Sequence, residues 1–277
     1  MTASKSNKEI AFLQDLFVAT DWGERFAELI DEHVTLPEKG RALHLAAGSG
    51  GHAIPLQERA GPGLKFLCVD ENEECLELAR AKAVATKDPA KFQVETIDAL
   101  HIRDDQFDLV LGDGSLVAPE RVLNMLSEMI RVAVPGAMVA LTLPTSSSFG
   151  EFFSIYWEAL HNSGVNDHEP DVERLIGKLP TISEVEEVAA VEGLEDVASF
   201  TRIEEFDYES GEDFLNSPLI AEFLLKGWLQ SIPEQFRKRV VLEIAKLINE
   251  ERHHAEFSLT VKATLVMGRK VRMPLAG

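Results

Sequence analysis

Apolar positions change their spacing along this chain, and the changes mark out its elements. Between residues 8 and 30 they recur at helical intervals: Ile10, Leu13, Leu16 and Phe17, then Phe26, Leu29 and Ile30. Asp21 stands where a cap between two helices is expected, and Pro37 and Gly40 close the second. From residue 41 short apolar runs alternate with helical stretches. RALHLAA predicts a first strand, residues 52–60 a helix, and Leu64–Val69 a second strand. Asn72 is placed to cap a helix carrying Leu76, Ala79 and Ala83. Lys91–Thr96 and Phe107–Leu111 predict the third and fourth strands, and Pro119 suits the first turn of the following helix. Pro135-Gly136 reads as a turn before a fifth strand over Ala137–Leu143.

The alternation then loosens. An aromatic helix carries Phe149, Phe152, Phe153, Tyr156, Trp157 and Leu160. Ser183 and Glu186 have the spacing of a capping box for a helix near 184–192. Val197–Phe206 is a candidate sixth strand, residues 211–254 read as helical, and Phe257–Met267 is the last β-like run. Repeated strand–helix units with apolar strands predict an α/β fold: a doubly wound, mostly parallel sheet covered by helices on both faces. The organisation expected is an N-terminal helical segment (1–40) before one domain (41–277), with helical insertions at about 144–180 and 211–254.

Composition narrows the classes of function. The 277 residues are 45% hydrophobic and 27% charged, enough for a sizeable core. The net charge of -20 repels polyanions at long range, so no nucleic-acid partner is expected. The basic run Arg237, Lys238 and Arg239 is read as a solvated helix face. No uninterrupted apolar run has the length of a membrane span, and MTASKSNKEI lacks the apolar stretch of a signal peptide. A cytoplasmic location with no membrane partner is the resulting expectation. Cys68 and Cys75 lack metal-ligand spacing and are read as buried thiols; no metal site is expected. His161, His168, His253 and His254 are candidate bases, each more simply read as a structural or surface residue.

The densest chemistry lies between the first two strands. GSGG follows the first, and Asp70 ends the second about 20 positions beyond Gly50. A glycine turn brings bare backbone to a ligand, and an acid at that distance can accept hydrogen bonds from a ribose. Gly48, Gly50 and Ala53 also satisfy the loose dinucleotide pattern G-x-G-x-x-A, which leaves a nicotinamide-dependent oxidoreductase open as an alternative.

The segment His44-Leu45-Ala46-Ala47-Gly48-Ser49-Gly50, with Asp70 and Glu71 after the second strand, TIDAL (Asp98, Ala99) after the third, QFDLVLGDGSL and VAVPGAMVALTLP, resembles the class I S-adenosylmethionine-dependent methyltransferase family over residues 40–145. That resemblance implies seven strands with the last antiparallel, S-adenosylmethionine as cofactor, and methyl transfer as the reaction. It implies cofactor contacts at His44, Ala46, Gly48, Ser49, Gly50, Asp70, Glu71, Asp98, Ala99, Gly112 and Asp113. Two positions depart from the pattern: His44 replaces an acid and Ala46 a glycine, so a non-catalytic, cofactor-binding scaffold is a further alternative. GDGS after the fourth strand differs from the (D/N)PPY of enzymes that methylate planar amines. The negative charge and the aromatic insertions lead to the expectation of a small, partly apolar acceptor, with Phe149, Tyr156, Trp157 and Trp228 as candidate substrate contacts. Its cover is expected from the two insertions together with the N-terminal helices.

Overall fold

A computed structural model describes residues 5–86, 89–251 and 256–272. Two compact units emerge: residues 1–143, 181–201 and 263–277 form the first, and residues 144–180 and 202–262 the second. Helix α1 (Asn7–Leu13) begins at a capping box of Ser6 and Glu9 and runs into a π-helix (Gln14–Gly23) and then α2 (Glu24–His33). Asp21 does not cap a second helix as expected. The helix passes through it without a break, and its carboxylate accepts from Arg25 Nε one turn later.

Strands and helices then alternate: β1 (Gly40–Leu45), α3 (Ala53–Ala60), β2 (Leu64–Asp70), α4 (Glu73–Ala83), β3 (Lys91–Val94), β4 (Phe107–Asp113), α5 (Pro119–Val132) and β5 (Ala133–Pro144). Asn72 caps α4, its side chain accepting from the backbone of Glu74 and Cys75. Pro119 opens α5, whose Val122, Met125, Leu126, Met129 and Ile130 form a buried stripe. Pro135-Gly136 lies inside β5 rather than before it. A register irregularity against β4 and a left-handed Gly136 (φ 87°) let the strand continue past the proline.

Beyond β5 come α6 (Gly150–Asn162), α7 (Glu169–Ile176), α8 (Ile182–Val191) and β6 (Leu194–Tyr208). The next elements are α9 (Gly211–Asn216), a second π-helix (Leu219–Leu224), α10 (Leu225–Trp228), α11 (Glu234–Glu251) and β7 (Phe257–Lys270). The capping box of α8 is Thr181 with Glu184, two residues before the expected Ser183 and Glu186; the same spacing recurs one pair earlier, where the helix begins. Arg237 does not stand free on a solvated face. It donates to the carbonyls of Ile232 and Gln230, groups that precede the helix.

The seven strands form one sheet in the order β3-β2-β1-β4-β5-β7-β6. The pairs β1–β2, β1–β4, β2–β3 and β4–β5 are parallel. The last strand reverses: Thr201 meets Thr264, while Gly193 accepts from the Val271 amide. The strand order reverses between β1 and β4, and this is the crevice at the carboxyl ends where open α/β sheets take ligands. The core of the first unit is built from β1, β4 and β5 against α5 and α8, with Leu43, Leu45, Val110, Met129, Leu141 and Val185 essentially inaccessible. Burial on both sheet faces explains why these strands read as unbroken apolar runs.

Candidate functional site

The turn after β1 is held from three sides. Asp70, at the end of β2, accepts the Gly48 amide on Oδ2 (2.8 Å) and the Asn72 amide on Oδ1 (2.9 Å). Burial pushes its carboxyl up, against the two amides, which pull it down. Ser49 Oγ donates to Asp15 Oδ1, and Lys82 Nζ donates to the same oxygen at 2.6 Å. Burial opposes the charge on Asp15, but these two partners together hold it below the ordinary range. The Cys75 thiol donates to Gln14 Oε1 at 3.2 Å, and burial pushes that thiol up to about 12. The π-helix is thus fastened to the glycine turn through adjacent side chains.

Within the turn, Gly48 (φ 53°) and Gly50 (φ 77°) are left-handed. A Cβ on Gly50 would fall 3.0–3.2 Å from Ile54 and Ala79, so both conformation and space call for glycine. Ala46, the residue in place of the family's first glycine, takes the same kind of backbone with φ 52°. A non-glycine residue there carries strain of roughly 1–2 kcal/mol.

A cavity of about 580 Å³ opens beside this turn. Its walls are Ala46–Ser49 of the turn, His44 of β1, Asp113 at the end of β4, Ser115, Thr142 of β5, and one side of the π-helix and α2 with Trp22 and Asp31. All its lining residues lie between Gln14 and Thr142. His44 is buried, and burial together with the neighbouring His52 pushes its ring down to about 3, so it is neutral. Asp113 is half-buried; burial raises it, while the Ser115 side chain, the Ser115 amide (2.9 Å) and His52 pull it back.

Of the sequence candidates, His44, Ala46, Gly48, Ser49 and Asp113 line the cavity, whereas Gly50 and Asp70 stand behind the turn and the others sit elsewhere. Asp98 and Glu71 are joined by Arg121 of α5, which donates to Glu71 Oε1 (2.6 Å) and Oε2 (2.9 Å) and to Asp98 Oδ2 (2.9 Å). Those bonds hold both carboxylates below their ordinary range. Ala99 closes a turn by donating to the Thr96 carbonyl. Gly112 faces α5: an added Cβ would come within 2.7–2.9 Å of Met125 and Met129. The candidate aromatics form a cluster in the second unit. Phe152 stacks on Trp228 (4.1 Å) and Tyr156 (5.6 Å), and Phe149 meets Trp228 edge-on at 5.3 Å. The Tyr156 hydroxyl donates to the Trp228 carbonyl, and burial raises it. Phe149, Tyr156 and Trp228 are buried there, whereas Trp157 is 39% exposed; none of the four lines the cavity.

His168 pairs with Asp171 at 2.8 Å and His161 with Glu169 at 3.5 Å, while His253 and His254 lie outside the described residues. Among the described residues no group of three or more His, Cys, Asp and Glu side chains is placed to hold a metal, and no helix is long and apolar enough to cross a membrane. Sequence reasoning missed His52, Asp31, Trp22 and Lys82. The available signal was indirect: His52 follows the glycine turn directly, and the others come from helices that read as simple amphipathic elements.

Both the sequence and the fold are similar to those of known proteins. Residues 42–136 match the family described as a methyltransferase domain. The demethylmenaquinone methyltransferase of Lactococcus lactis is 32% identical over 124 residues, which is 42% of this chain and 48% of that protein. The ubiquinone/menaquinone biosynthesis C-methyltransferase UbiE of Geobacter sulfurreducens is 29% identical over 126 residues, 43% of this chain and 49% of that one. The chain spans about half the length of the curated relatives it matches. In fold it is similar to the YcgJ protein of Bacillus subtilis (TM-score 0.58, 16% identity, 90% of this chain and 100% of that one). It is also similar to Haemonchus contortus phosphoethanolamine N-methyltransferase 2 in complex with S-adenosyl-L-methionine (TM-score 0.56, 14% identity, 98% and 61%). The resemblance to class I S-adenosylmethionine-dependent methyltransferases therefore holds in sequence as well as in fold.

Proposed function

We propose that the chain binds S-adenosylmethionine at the β1 turn and transfers its methyl group to a small, partly apolar acceptor. The observation that carries this reading is the joint between Gly48 and Asp70, beside a cavity at the carboxyl ends of β1, β4 and β5. Each Asp70 oxygen accepts one backbone hydrogen bond and keeps a lone pair for a ribose hydroxyl. The Gly48 and Ser49 backbone and the neutral His44 ring border the space for the amino-acid half of the cofactor. Glu71 and Asp98, with Arg121, stand at the ends of β2 and β3, where the adenine edge is expected.

A sulfonium methyl is already electrophilic, so the chain's work is to align an acceptor and keep water out. Trp22, Ile30, Ala27 and Leu116 supply apolar wall for that acceptor within a cavity of small-molecule size. The names of the curated relatives point to a quinone-type ring, with methylation at carbon, as the acceptor class. A cytoplasmic location, without a nucleic-acid or membrane partner, belongs to the same reading.

The test is incubation of the chain with methyl-labelled S-adenosylmethionine and a demethylated naphthoquinol. Label in the quinol, dependent on protein, is the expected result. Turnover with a nicotinamide cofactor and no transfer of label would overturn the reading.

A further inference from the structure

Methyl transfer to a carbon or hydroxyl acceptor releases a proton, and the cavity wall contains a group arranged to take one. His44 Nδ1 lies 3.3 Å from the Leu45 carbonyl, His44 Nε2 3.4 Å from His52 Nδ1, and His52 Nε2 3.0 Å from Asp31 Oδ1. Arg59 donates to that same Asp31 oxygen at 2.7 Å. The row begins and ends on oxygens that only accept, and Asp31 stays ionised because its bonds to His52 and Arg59 outweigh the opposing effect of burial. Three hydrogen atoms are needed to fill the three gaps, yet two neutral imidazoles carry only two between them. With both rings neutral one gap lacks its hydrogen; one added proton completes all three bonds.

We propose that His44 and His52, backed by Asp31, form a single-proton site in the cavity wall and that this site takes up the proton lost by the methyl acceptor. This inference rests on the methyl-transfer reading. In the step, the acceptor's electron pair forms the new bond to the methyl carbon, and the carbon–sulfur bond breaks with its pair going to sulfur. The acceptor's proton enters the row and fills the one gap that lacks its hydrogen, Nδ1 of His52 being turned to His44 and Nε2 to Asp31. Both histidines and Asp31 line the cavity, and so does Asp113, whose carboxylate feels the charge on His52. The groups facing His52 are thus Asp31 of α2, Arg59 of its own helix, His44 of β1 and Asp113 of β4; Glu24 and Glu28 of α2 line the same space. The site favours acceptors that are acidic over amines that are already nucleophilic. It also gives a chemical role to the histidine that replaces the family's acid.

The decisive experiment is a pH titration of the full chain labelled with ¹⁵N-histidine, with His44 and His52 followed by nitrogen shifts. The expected result is one proton taken up by the pair in a single shared step, ending with three of the four ring nitrogens protonated. In Asp31→Asn that step moves to lower pH by about one unit, because the carboxylate that stabilises the added proton is gone. Independent uptake of two protons, or an unchanged step in Asp31→Asn, would overturn the proposal. With the naphthoquinol, His52→Gln lowers the single-turnover rate about 100-fold or more and flattens its pH profile, while affinity for S-adenosylhomocysteine stays within about threefold. An unchanged rate and profile would also overturn it. Failure of the unaltered chain to bind S-adenosylhomocysteine would instead remove the methyl-transfer reading, leaving the proton count to be judged by the titration.

Discussion

The Gly48 amide donates to Asp70 Oδ2 across 22 residues, at 2.8 Å, and joins the turn after β1 to the end of β2. The same carboxylate holds the Asn72 amide, so one side chain positions the glycine turn and the chain entering α4. In Asp70→Ala both amides lose their acceptor. Each partly buried, unmade bond costs about 1–3 kcal/mol, offset in part because the buried charge is itself unfavourable. A net loss of about 2 kcal/mol is expected by urea unfolding, and an unchanged midpoint would show that the joint is not structural.

Ala46 sits at φ 52° where glycine would carry no strain. Ala46→Gly relieves it and is expected to stabilise the chain by about 0.5–1 kcal/mol, after the greater freedom of glycine in the unfolded chain is counted. The shift in thermal midpoint measures this. A destabilised variant would mean that the alanine methyl makes contacts worth more than its strain.

In the second unit, Gly211 begins α9 directly against α11. A Cβ there would fall 2.3 Å from the Ala245 carbonyl oxygen and 2.6 Å from its Cα, both backbone atoms that cannot turn aside. Gly211→Ala is therefore expected to cost about 3 kcal/mol or more. Proteolysis within residues 202–262 of the variant, absent in the parent chain, is the readout.

The Arg121 cluster sets an acid dependence. Asp98 and Glu71 are held below their ordinary range by Arg121 in the folded chain. Their contribution is present above the range where unfolded carboxylates titrate, and it is lost as pH falls through the folded values. Arg121→Ala removes it, so the stability gap between variant and parent narrows from pH 7 toward pH 3. Because these groups are partly exposed, the gap is also expected to shrink in high salt. A gap independent of pH and salt would assign Arg121 a packing role only.

The sheet was legible because its central strands are buried on both faces and so appear as apolar runs; Leu43–Leu45 and Leu109–Leu111 are of this kind. Caps were legible where one residue decides them, as with Asn72, and misplaced where the same spacing occurs twice, as with Thr181 and Ser183. The glycine turn and Asp70 could be found because positive φ and close backbone approach restrict residue type. The cavity wall could not. Trp22, Asp31 and Lys82 reach it through the packing of a π-helix, α2 and α4, and no local pattern records which side of a helix meets a turn far along the chain. The aromatic run 149–157 reads equally as a substrate wall and as packing; in the structure Phe152 packs with Phe214 and Trp228, while Trp157 is exposed.

Isothermal titration of the chain with S-adenosylhomocysteine tests the central claim most directly, because it asks for the nucleoside site without requiring the acceptor. The account predicts saturable one-to-one binding with a micromolar Kd, weakened at least tenfold in Asp70→Ala. No heat of binding at millimolar ligand, or equal affinity in the variant, would contradict it.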